Sequence, residues 1–163
     1  MYLEFNQKPL LNLTTLAIVP QPKEGKKFGS FVLEKNQEYF TDVSPKQFVD
    51  RGCLFYGSSL RGRLEGTRAI FGVNRKAPIV IDPMLGMFFL PTTSPSSSEC
   101  TWISHQHIER LEKVDSKRTI IHFQGGKQLT VNVSYRSLTN QVLRTAQYRH
   151  LLMERITKPQ ESD

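Results

Sequence analysis

The sequence predicts an α+β fold: a single compact domain, largely antiparallel β, with short helices in the middle and a long C-terminal helix. Three observations predict it. Short segments rich in β-formers recur between clusters of turn residues along most of the chain. A capped helix start stands at Ser44-Pro45, and the segment from Ser134 onward carries the longest helical spacing of apolar side chains. With 163 residues, 38% of them hydrophobic, the chain can bury one core, and its length favours one domain over 1–163.

Thr14 to Val19 and Phe28 to Leu33 are strand segments, separated by a Pro, Gly and Lys turn cluster that suits a hairpin. Ser44 then precedes Pro45, with Gln47 three residues after the serine: an N-cap, proline at the first helical position and a weak capping box. A short helix begins here and ends before Gly52 or Gly57. From Ser58 to Ile70, Leu60, Leu64, Thr67 and Ile70 fall near helical spacing, but Gly62 and Gly66 each weaken a helix by about 1 kcal/mol relative to alanine. A helix and a broken, loop-like segment both remain open for this stretch.

Pro78 to Asp82 and Met87 to Leu90 suggest two strands around an Asp82-Pro83 and Gly86 turn. PTTSPSSSE, residues 91–99, is expected to be an exposed loop that packs no core. Ile108 to Val114, Thr119 to Phe123 and Leu129 to Val133 are further strands, the last two flanking a Gly125-Gly126 hairpin turn. Ser134 caps a helix reaching about Ile156, with Leu138, Val142, Ala146, Met153 and Ile156 on one face. Arg149 falls on that apolar face, so the helix bends or the arginine meets a carboxylate, an interface or DNA. Residues 157–163, TKPQESD, are expected to fray.

Charge is concentrated. Between Ser44 and Lys76, seven basic residues (Lys46, Arg51, Arg61, Arg63, Arg68, Arg75, Lys76) face Asp50 and Glu65, an excess of five in a chain whose formal net charge is +7. This is the footprint of a polyanion-binding surface, nucleic acid before an anionic membrane; a merely basic protein is the plain alternative. No basic leader precedes a long apolar stretch, and no apolar run approaches the roughly 18 residues of a membrane span, so a cytoplasmic protein is expected. Cys53 and Cys100 lie far apart and are read as reduced thiols.

Gly57-Ser58-Ser59 followed by Arg61-Gly62-Arg63 is composed like a phosphate cradle, with a structural glycine turn as the alternative. It lacks the Gly-Lys-Ser/Thr ending of a nucleotide-hydrolysing loop, and no G-x-G-x-x-G occurs. Cys100, His105 and His107 space as C-x4-H-x-H, which fits no common zinc motif, and no orienting partner makes a cysteine–histidine dyad. Trp102 is read as a core or subunit-interface aromatic. The expectation is a protein that is not an enzyme and needs no cofactor or metal.

The stretch VDRGCLFYGSSLRGRLEGT, the later APIVIDP, the WISHQHI run and the helix segment NQVLRTA together resemble the ComK family of competence transcription factors from Gram-positive bacteria. The likeness runs from about Val49 to Ile156; the first forty residues agree mainly in strand pattern. It implies a transcriptional activator of DNA-uptake and recombination genes that binds paired A/T-rich promoter boxes as a homodimer or higher oligomer, with RNA polymerase as a further partner. It implies a cytoplasmic protein, nucleoid-associated when bound to DNA. Family members carry a longer C-terminal tail with an aromatic and Met-Leu-Tyr-Pro segment linked to the adaptor MecA and the Clp protease; this sequence stops at KPQESD, which weakens that expectation. The run from Trp102 to Gln141 has a fainter, pattern-level likeness to LytTR-type DNA-binding domains.

On that resemblance, arginines enter the narrow, strongly negative minor groove of A/T-rich DNA. Arg61, Arg63 and Arg68 are the expected groove contacts, Arg51, Arg75 and Lys76 the phosphate clamps, and Ser58 and Ser59 supplementary donors. A basic protein-interaction module that regulates competence without direct DNA contact is the second reading. An enzyme acting on a phosphorylated substrate is the third, and no acid, base or metal site can be assembled for it.

Overall fold

A computed structural model describes residues 9–72 and 75–158, all but the side chain of Lys26. The architecture is α+β, as expected, in stacked layers. Strands β1 (Thr15–Pro22), β2 (Phe28–Glu34) and β3 (Glu38–Thr41) form an antiparallel meander. Helices α1 (Pro45–Phe55) and α2 (Leu60–Phe71) follow, then β4 (Ile79–Asp82), β5 (Met87–Pro91) and β6 (Trp102–Ser104). These six strands make one antiparallel sheet of order β3-β2-β1-β6-β5-β4. Strands β7 (Ile108–Lys113), β8 (Thr119–Phe123) and β9 (Gln128–Val131) make a second, three-stranded sheet, and α3 (Tyr135–Thr157) closes the fold.

The six-stranded sheet is covered on both faces. Ile18, Val32, Ile79, Ile81, Phe89 and Trp102 pack with Phe48, Val49, Cys53 and Leu60 of α1 and α2. Leu16, Ala17, Leu33, Leu90 and Ile103 pack with Ile121, Phe123 and Val131 of the second sheet and Leu138 of α3. A strand buried on both faces needs apolar side chains at every position, which is why Ile79–Asp82 and Met87–Pro91 read as continuous apolar runs. Trp102 is a fully buried core residue.

The structure decides two readings left open by the sequence and departs from expectation elsewhere. α1 runs through Gly52 and stops before Gly57: an added Cβ at Gly52 would lie 2.9 Å from Leu11 Cβ, so glycine serves the close approach of the N-terminal segment to the helix. The open stretch after Gly57 resolves as helix over Leu60–Phe71, with Ser59 as the N-cap. Strands β3 and β6, too short to show a period, lay outside the sequence reading. The 91–99 segment is only partly an exposed loop. Pro91, Thr92 and Pro95 are buried; Thr92 N donates to Thr101 O, and Thr101 N donates to the Thr92 hydroxyl, just ahead of β6.

The buried face of α3 is rotated from the expected one. Leu138, Gln141, Thr145 and Tyr148 are buried, while Ala146 and Ile156 are exposed. Gln141 Nε2 donates to the carbonyls of Lys76 and Pro91, and Thr145 Oγ1 donates to Gln141 O, so polar side chains occupy the helix–sheet contact. Arg149 settles over the Phe88 ring, 5.4 Å from its centroid. Residues 159–163 of the expected fraying tail lie outside the described residues.

Candidate nucleic-acid interface

α1 and α2 form the outer layer over β1, β2 and β4, and five of the seven basic residues of the 44–76 window ride on them. Ser44 Oγ accepts from Gln47 N and starts α1, as its position before proline predicts. A tight turn with Gly57 at φ 95° then reverses the chain into α2. Ser59 Oγ accepts from Gly62 N at 3.0 Å, and Asp50 Oδ1, from the middle of α1, accepts from Leu60 N at 2.9 Å. Two amides at the amino end of α2 are therefore held by side chains of the protein itself, one of them by a carboxylate. Ser59 thus serves as the N-cap of α2.

The three expected groove arginines diverge. Arg61 and Arg68, seven residues apart and hence on the same side of α2, both line a cleft of about 680 Å³. Across that cleft stand Ser44, Lys46 and Gln47 of α1, and Ser94, Pro95 and Ser96 of the loop after β5 close one end. Arg61 Nε lies 3.2 Å from Glu65 Oε1 in an i,i+4 pair whose side chains are 89% and 61% exposed; such a pair is weak and readily exchanged for another anion. Arg63 points the other way. Its Nη2 donates to Ile81 O at 3.3 Å, beside the break in register between Val80 and Asp82 of β4, and its Nε is buried with no hydrogen-bond partner.

The remaining expected residues are dispersed. Arg51 is half-buried on α1, Arg75 is exposed in the turn after α2, and Lys76 is half-buried with its carbonyl held by Gln141. Ser58 is half-buried, its amide bonded to Cys53 O. Lys46 and the 94–96 loop were missing from the expected contacts. Lys46 was legible as a charge one helical turn before Asp50, but only the fold reveals that the loop after β5 reaches the same cleft.

Both cysteine thiols are buried. Burial pushes the Cys53 thiol up to about 12, against a smaller opposing pull from Arg63, so it stays protonated. The Cys100 thiol is likewise raised by burial and directs weak hydrogen bonds to the Thr93 and Thr101 carbonyls. His107 Nδ1 lies 2.6 Å from Ser104 Oγ, while His122 Nε2 meets Glu112 on the outer sheet. Among the described residues no group of three metal-ligating side chains is assembled. No helix among them is long and apolar enough to cross a membrane.

The family model described as ComK protein matches residues 6–157, which spans both sheets, both outer helices and α3. The chain belongs to the ComK family. It is 37% identical over 146 residues to the competence transcription factor of Bacillus subtilis (strain 168), an alignment that covers 90% of this chain and 76% of that protein. No solved structure matches. The ComK match begins ahead of β1, so it takes in the N-terminal meander whose likeness rested mainly on strand pattern.

Proposed function

We propose that this protein is a transcription factor of competence that binds double-stranded promoter DNA directly. The observation that carries the reading is the 37% identity, over 90% of the chain, to a protein named competence transcription factor. The cleft between α1 and α2 supports it physically, since Lys46, Arg61 and Arg68 converge there from two elements. Its acidic neighbours are already engaged, Asp50 with the Leu60 amide and Glu65 with Arg61.

In this reading Arg61 and Arg68 enter the minor groove of paired A/T-rich boxes. That groove is about 6 Å wide, too narrow for a helix but open to an extended guanidinium, and an A-tract narrows it and deepens its negative potential. Lys46, Arg51 and Arg75 hold phosphates beside it. Lys76, half-buried, stands at the margin of that group. Ser59 and Asp50 hold α2 in place, and Arg63 fastens α2 to β4, so these three position the reading side chains rather than touch DNA.

Paired boxes call for two or more subunits, and a two-fold homodimer is the simplest solution. Activation then requires contact with RNA polymerase, and the protein works in the cytoplasm at the nucleoid. The test is a gel-shift titration with an A/T-box duplex and a scrambled duplex. Arg61→Ala and Arg68→Ala should each lose discrimination by about 1–3 kcal/mol, while Arg75→Ala should weaken both duplexes alike and lower the salt slope by about one. Equal affinity of the unaltered protein for the two duplexes would favour the interaction-module reading instead.

A further inference from the structure

A second groove lies outside the cleft just described and shares no lining residue with it. It runs between the carboxyl end of α2, where Ile70 and Phe71 are half-buried, and the outer side of α3, and encloses about 1060 Å³. Leu143 and Leu151 flank Gln147 at i and i+8 and are 59% and 39% exposed. Exposed apolar surface of this kind, when contiguous, marks interaction sites.

The groove also has a sign. Arg144 lines it, and among the described residues no acidic side chain does. Arg136 and Arg155 extend the same side of α3 in both directions. The single acidic residue of α3, Glu154, is engaged by Lys158 at 3.0 Å and His150 at 3.5 Å. An apolar floor within a row of arginines complements an amphipathic segment with leucine-like anchors one and two turns apart and carboxylates on its flanks.

We propose that this groove docks an acidic amphipathic helix of a partner protein. DNA is a poor occupant, because phosphates would have to approach across exposed leucines. A second copy of this chain is a poor one too, since a two-fold contact through this face sets arginines against arginines. The proposal is independent of the DNA-binding reading.

The test is fluorescence anisotropy of a labelled helical peptide carrying leucines at i, i+4 and i+7 with glutamates elsewhere, beside the same peptide with lysines replacing the glutamates. The glutamate peptide should bind saturably, and the lysine peptide should bind at least about tenfold more weakly. Leu143→Asp and Arg144→Glu, both surface changes that leave the core intact, should each weaken the glutamate peptide about tenfold or more while A/T-box duplex binding is retained. The proposal is overturned by absent saturable binding, by equal affinity for the two peptides, or by indifference to both variants. It is overturned as well if Arg144→Glu abolishes duplex binding, which assigns the face to DNA. Sedimentation showing that Leu143→Asp dissolves a self-associated form would assign the face to a second copy and overturn it equally.

Discussion

Arg61, Arg63 and Arg68 lie within about two turns of α2, yet their surroundings give them different work. Arg61 and Arg68 reach the cleft, whereas Arg63 is spent inside the fold on the Ile81 carbonyl. Arg63→Ala should therefore lower the unfolding midpoint, by about 1–3 kcal/mol of stability, while the folded fraction keeps its preference for A/T-box DNA; thermal melts and gel shifts read the two effects separately. Gly52→Ala tests another close contact. Its Cβ would press on Leu11, so a loss of about 1–3 kcal/mol is expected in denaturant titrations.

Two histidines make a pH prediction. Burial, with a contribution from the Arg149 cation, holds His105 below the usual histidine value, and burial with Lys35 does the same for His107. The unfolded chain then binds protons that the native state refuses. Their stabilising contribution is complete above a pH of about 6.5 and falls away as the pH drops below it. Melting temperatures should decline from pH 7.5 to pH 5.5, and a flat profile would show that neither imidazole is held neutral by the fold.

At the scale of single elements, the helix starts were legible and the helix faces were not. Ser44 and Ser134 each cap where a serine precedes a helical run, and their side chains accept from Gln47 N and Ser137 N. α2 needed a partner distant in sequence, because Asp50 supplies the second half of its cap across the α1–α2 turn. Asp50→Ala should cost about 0.5–2 kcal/mol and weaken DNA binding by loosening the helix that carries Arg61 and Arg68, as chemical denaturation and gel shifts would show. α3 was misjudged because its buried stripe includes Gln141 and Thr145, and apolar spacing alone favours a rotated face. Gln141 reaches strand-end carbonyls, a need invisible until the sheet beneath is known.

For the molecule as a whole, the layered fold explains both what could be read and what could not. Strand positions were evident from apolar runs and turns, but with the six-stranded sheet covered on both faces, alternation could not say which side chains point where. The concentration of positive charge between Ser44 and Lys76 was plain in the sequence. Its division into cleft-facing, buried and dispersed side chains required the fold. If the α1–α2 cleft is the DNA-reading surface, its contribution must be selective as well as electrostatic.

The most direct measurement is a salt titration of binding to A/T-box and scrambled duplexes by the unaltered protein and by the Arg61→Ala, Arg68→Ala double variant. The account predicts a clear preference of the unaltered protein for the A/T-box duplex. In the double variant that preference should collapse and the salt slope fall by about two, with the fold intact by circular dichroism. Undiminished preference in a folded double variant would contradict it.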